Sequence, residues 1–166
     1  MYTNPMRLRT AFTLVELTIV VAILGILAAI VIPKLSSATD SAKSNGAASQ
    51  LTSVRKQLEV WKLDHAGNFP TLSQLQEGSN DWAVLTGKTS VAGELQEAGP
   101  HGPYFPSPPM NPYTNSSLVV EAGSPVVTAG WTYDDDTGVL KIILPESVDA
   151  TATDLRAEDY EQPSED

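Results

Sequence analysis

The chain has 166 residues, a length for one modest domain with attachments. It has no cysteine, which excludes a disulfide framework, thiolate catalysis and cysteine-ligated metals. Its formal charge of -10 argues against nucleic-acid binding, which needs basic patches.

Residues 1–11 are short, polar and basic. Arg7 and Arg9 precede an apolar run, and no acid precedes Glu16. Cations on that side predict a cytoplasmic N-terminus, with the rest of the chain across the membrane. Phe12 to Ile32 then reads FTLVELTIVVAILGILAAIVI. A helix of this length rises about 30 Å, enough to cross a bilayer core. Pro33 is expected to interrupt it, and Lys34 follows at the expected membrane interface.

From Lys34 to about His65 the pattern is that of an amphipathic helix. Leu51, Val54, Leu58 and Trp61 recur at steps of three and four, while Lys43, Arg55, Lys56 and Glu59 fall elsewhere around the axis. Such a stripe suits a helix that carries a small sheet on one face. Gly67 marks its expected end. Residues 66–145 read as a small globular α+β domain. It opens with loops and a short helix near Leu72 to Gln76. The stretch Gly99 to Pro112 contains six prolines and cannot be a central strand or helix. Three β-like runs follow: Ser117 to Glu121, Val126 to Tyr133 and Val139 to Leu144. The last two flank Asp134-Asp135-Asp136-Thr137-Gly138 and predict an antiparallel hairpin. Residues 146–166 are acidic and poor in large apolar side chains, which predicts a disordered tail.

Glu16 is the most informative residue. A charge at the centre of a membrane helix costs about 2.5–3.5 kcal/mol on insertion scales, so it calls for a partner. No Lys, Arg or His lies between Thr10 and Pro33. The expected partner is therefore another chain, a lipid or a chain terminus. A secretory signal cut after Ala38 is the plainer alternative. Such signals rarely carry a carboxylate near the start of the apolar run.

The string from Arg9 through Thr10, Ala11, Phe12, Thr13, Leu14 and Val15 to Glu16 and Leu17 resembles the class III signal of type IV pilins and type II secretion pseudopilins. The resemblance implies cleavage by a prepilin peptidase between Ala11 and Phe12, followed by N-methylation of Phe12. This chain has Ala11 where the family usually has Gly. Glu16 would then neutralise the new cationic amine of a neighbouring subunit. Gly25 and Pro33 bracket a stretch resembling the one that loses helical structure in the family's filaments, and both weaken a helix. Further motifs are similar to those of type II secretion pseudopilins. They are Asn68-Phe69-Pro70-Thr71, the segment from Gly102 to Pro112, and Gly130-Trp131-Thr132-Tyr133 before the Asp-rich turn.

The resemblance implies a pilin-like α+β fold, with a long N-terminal helix packed on a small antiparallel sheet. The domains expected are a leader (1–11), a membrane or filament-core helix (12–33), an amphipathic half (34–65), the globular domain (66–145) and the tail (146–166). The implied partners are copies of the same chain, minor pilin-like subunits, the prepilin peptidase, and an assembly platform with its ATPase. The implied location is the inner membrane, crossed once, with the globular domain in the periplasm. A type IV pilus subunit is the alternative within the family. A membrane-anchored exported binding or enzymatic domain is the alternative outside it. No catalytic motif supports an enzyme, and His65 and His101 are expected to face solvent. Because family members often bind calcium, Asp134 and Asp136 are the candidate ligands for that ion.

Overall fold

The computed structural model describes residues 12–77 and 81–163. The expected leader, with Ala11, lies outside the described residues. Helix α1 spans Leu14–Asp64, 51 residues. Two compact units divide the chain, Met1–Thr39 and Asp40–Asp166, and α1 contributes to both. The helix runs unbroken through Pro33, where the sequence predicts an interruption. Proline removes one N–H donor and crowds the carbonyl four residues before it, a cost that so long a helix bears without breaking.

In the second unit, α1 buries Ser44, Ala47, Leu51, Val54, Leu58 and Trp61, and His65 just past its end continues the series. These positions alternate in steps of three and four, so they form one stripe along the helix. The helix ends where Gly67 N–H returns to the Lys62 carbonyl at 2.8 Å. Helix α2, Leu72–Leu75, starts with a capping box between Thr71 and Gln74. Helix α3, Ala83–Thr86, was not expected from the sequence. It is a single turn and too short to carry a periodic signal.

The sheet has four strands in spatial order: β1 (Val119–Glu121), β2 (Trp131–Asp134), β3 (Val139–Ile143) and β4 (Tyr160–Glu161). The predicted hairpin is β2–β3, antiparallel, with Trp131 opposite Ile142 and Tyr133 opposite Leu140. The sheet as a whole is mixed, which corrects the antiparallel expectation. β1 runs parallel to β2, and β4 runs parallel to β3. Side-chain alternation says which residues form strands but not their direction. Direction is decided here by the paths of residues 122–130 and 144–159, which return the chain to the start of the neighbouring strand.

Trp61, Trp82, Trp131, Tyr133, Leu140 and Ile142 make the centre of the core against the α1 stripe. Trp82 meets Trp131 edge to face at 6.1 Å. Their ring N–H groups donate to the carbonyls of Ser117 and Pro109. Buried Asn111 ties the proline-rich segment to the sheet. Its amide donates to the carbonyls of Gly130 (2.9 Å) and Ile143 (2.7 Å), and its oxygen accepts the Tyr113 N–H (2.8 Å). That use of Asn, with all its capacity satisfied, lets a loop without secondary structure lie against the core.

The tail differs most from expectation. Through Pro163 it is ordered, with a 3-10 turn at Ala150–Ala152 and strand β4. Leu155 enters the core. Several of the acids that suggested disorder are engaged. Asp154 Oδ2 accepts the Ser44 hydroxyl at 3.3 Å. The Asp154 N–H donates to Ser44 Oγ at 2.6 Å, and Asp149 caps the 3-10 turn through the Thr151 N–H. Glu161 pairs with Lys141 at 3.1 Å. Asp159 is nearly buried between Arg55 (2.6 Å) and Arg156 (3.0 Å). Arg55 also donates to the Leu140 carbonyl. Burial works against the charge of Asp159, but the bonds from Arg55 and Arg156 prevail and hold its carboxyl below the usual carboxylate range.

Candidate functional site

Leu14–Ile32 is long and apolar enough to cross a membrane, rising about 28 Å over 19 residues. Its large side chains, with Phe12, are 47–83% exposed. Exposed apolar area costs roughly 25 cal/mol per Å², so this surface requires lipid or other helices around it.

At its start, Thr13 and Glu16 form a reciprocal cap. Thr13 donates to Glu16 Oε2 from its N–H and from its hydroxyl, both at 2.9 Å, and the Glu16 N–H donates to Thr13 Oγ1 at 3.2 Å. This is a capping box, which satisfies N–H groups that the first turn leaves free. Glu16 therefore has hydrogen-bond partners inside its own chain, contrary to the expectation that they lie outside it. Within Phe12 to Ile32 it has no cation, because that run contains none. Thr13 was missed, although the spacing Thr13-x-x-Glu16 is a sequence signature of such a cap.

Phe12 is 83% exposed and precedes the helix. Gly25 sits within continuous helix, and a Cβ there would meet nothing within 4 Å. Pro33 is likewise within continuous helix. Phe12 and Glu16 lie close along one end of α1, while Gly25 and Pro33 lie further along it. The described residues place no other candidate beside this group.

The Asp-rich turn is closed by its own side chains. Asp134 Oδ1 accepts the N–H groups of Asp136 (3.0 Å) and Thr137 (3.1 Å). The Thr137 hydroxyl first, then these N–H groups, hold its carboxyl below the usual range. Asp135 Oδ2 accepts the Leu72 N–H at 3.0 Å and so docks the turn on α2. Gly138 completes the turn at φ +72°, beneath the Phe69 ring. Among the described residues, no group of three acidic or histidine side chains is placed to share a metal ion. In this arrangement one oxygen of Asp134 is engaged within the turn.

His65 is buried, correcting the expectation of a solvated ring. It stacks on Trp61 at 3.8 Å. Its nitrogens face the carbonyls of Trp61 (2.8 Å) and Ser90 (3.1 Å) and the Thr89 hydroxyl (3.2 Å). Trp61 and His65 are one helical turn apart, which accounts for the stack. His101 is half-buried, 3.7 Å from Asp64, which also accepts the Tyr104 hydroxyl at 2.9 Å. Burial, reinforced by Asp64, raises the Tyr104 phenol. These groups join the end of α1 to the loop after α3, and their polar atoms are engaged with one another.

A family model described as the prokaryotic N-terminal methylation motif matches residues 6–32. Among curated relatives, the type II secretion system core protein G of Vibrio cholerae is 31% identical over 118 residues, covering 71% of this chain and 75% of that protein. The protein of the same name from Aeromonas hydrophila is 30% identical over 117 residues, covering 70% and 76%. The one from Pseudomonas aeruginosa is 40% identical over 68 residues, covering 41% and 47%. No solved structure gives a significant match.

Proposed function

The chain belongs to the family of type II secretion system core protein G, and on that premise we propose that it is a pseudopilin, the repeating subunit of a secretion filament. The observation that carries this is the apolar span Leu14–Ile32, exposed along its length and headed by Glu16. Before assembly the span sits in the inner membrane, with the unit beyond Thr39 in the periplasm. In the filament, neighbouring spans replace the lipid. The role is mechanical, and no catalysis is assigned to the chain.

Processing prepares the contact. A prepilin peptidase hydrolyses the Ala11–Phe12 bond on the cytoplasmic side, and methylation of the freed Phe12 amine leaves it cationic. Glu16 of one copy then pairs with the Phe12 amine of the next. Until it does, the Thr13 cap holds the carboxylate satisfied within its own chain. Away from water, the gain from pairing two such groups sets the axial register of one subunit against another. An assembly platform with its ATPase lifts subunits from the membrane, and minor pilin-like subunits complete the filament.

Glu16→Ala tests this. It is expected to spare membrane insertion and lower the yield of sheared filaments roughly tenfold or more, since loss of a charge partner costs several kcal/mol. Normal yield would refute the pairing. Mass spectrometry of the mature chain is expected to show N-methylated Phe12, and an intact Met1 would overturn the cleavage.

A further inference from the structure

The buried stripe of α1 leaves another face of that helix uncovered. Two residues along a helix is about 200° around its axis, so Leu63 points away from the side that buries Trp61 and His65. Leu63 is 82% exposed, and Val60 is exposed beside it. Four residues before Val60 is Lys56, exposed and, among the described residues, with no hydrogen-bond or ion-pair partner. Next to Lys56, the small side chains Ser49, Thr52 and Ser53 leave a shallow groove of about 420 Å³.

A patch of matching character lies elsewhere on the same unit. Residues 91–97 expose Val91 (63%) and Leu95, together with Glu94 and Glu97. Neither carboxylate has a partner among the described residues. The loop is preformed. Gly93 N–H donates to the Ser90 carbonyl (3.0 Å), Ser90 N–H to that of Glu94 (2.9 Å), and Gln96 N–H to that of Lys88 (2.9 Å). The Ser90 carbonyl faces His65, so the loop lies on the Trp61–His65 side of α1, away from Leu63. Each patch also carries one charge of the other sign, Glu59 on the helix and Lys88 at the foot of the loop, and these two match each other as well.

We propose, on the footing of the filament role above, that the α1 face at Lys56, Val60 and Leu63 in one copy receives the Val91–Glu97 loop of another copy. Apolar side chains meet apolar ones, and Lys56 meets Glu94 and Glu97. Because the two patches differ and lie on different sides of the unit, the contact is heterologous and propagates rather than closing into a dimer, as an open filament requires. Loop against loop would set four carboxylates together, which disfavours the symmetric alternative.

The chain has no cysteine, so thiols can be placed at will. In sheared filaments of the full-length chain carrying Leu63→Cys and Val91→Cys, a short bismaleimide is expected to give a ladder of dimers, trimers and longer species. Each single variant is expected to stay monomeric. Filaments without a ladder overturn the proposal, as does a ladder from either single variant. Independently, Lys56→Glu is expected to lower filament yield roughly tenfold, and adding Glu94→Lys with Glu97→Lys to restore most of it. Unchanged yield, or a loss that the reversal does not repair, overturns the pairing. Normal filaments with lost secretion overturn it in favour of exported cargo on that face. If the wild-type chain makes no filaments, the filament role fails, and this contact with it.

Discussion

Helix α1 is one element with two regions that bury apolar surface in different ways. Between Leu14 and Ile32 every large side chain is exposed and apolar residues surround the axis. Between Asp40 and Asp64 only the stripe from Ser44 to Trp61 is buried, and the chain's own sheet covers it. A helix apolar on all sides needs a surrounding apolar medium, while a striped one needs a single partner layer. The first region thus calls for apolar surroundings, and the second packs its stripe against the chain's own sheet.

The sharpest way to break this contrast is to remove bulk from each region. Trp61→Ala is expected to destabilise the globular unit by about 3–5 kcal/mol, as for other buried tryptophans. Leu24→Ala should leave that unit within about 0.5 kcal/mol of wild type. Guanidinium unfolding of the full chain in detergent, followed by circular dichroism, measures both, and equal losses would remove the distinction.

Two glycines give the next test. A Cβ on Gly138, at φ +72°, would clash with the Phe69 ring. Gly138→Ala is therefore expected to lower stability by about 1–3 kcal/mol. At Gly25 nothing lies within 4 Å, so Gly25→Ala should strengthen the helix by up to about 1 kcal/mol. The same detergent unfolding assay reads the first effect, and helix content of the span in micelles reads the second.

Asp159→Asn is expected to lower stability by about 1–2 kcal/mol, since Arg55 and Arg156 lose the charge they share. The pH dependence has a definite sign. The folded carboxyl titrates below its unfolded value of about 3.9, so the unfolded chain binds more protons in between. The contribution is complete above the unfolded value and is lost as pH falls through the folded one. Thermal melts from pH 6 down should show the wild type losing more stability than Asp159→Asn over that acid range.

The smallest effect expected is from calcium. With Asp134 and Asp135 occupied by backbone N–H groups, millimolar calcium should leave Tm unchanged. A rise of several degrees would show that the turn opens to hold the ion.

Much of this was legible in the residues. The apolar span, the 51–61 stripe, the helix end at Gly67, α2 and the β2–β3 hairpin rest on local periodicity and turn chemistry, which a sequence displays directly. So does the Thr13–Glu16 cap, whose signature was present but overlooked. The tail was misjudged because composition counts acids without their partners. Asp154 meets Ser44 and Asp159 meets Arg55 across more than a hundred residues of chain. His65 was misjudged because its burial depends on Thr89 and Ser90, which arrive from a distant loop.

By itself, then, the sequence determined that this chain has a membrane-length helix with an acid near its head, followed by a helix built to carry a sheet. Periodicity and charge placement are local properties, so they survive without a fold. Only the tertiary structure decided that the sheet is mixed, that the acidic tail is its fourth strand, and that the Asp-rich turn is closed. Each depends on which distant donor meets which acceptor, and that is settled only when the chain packs.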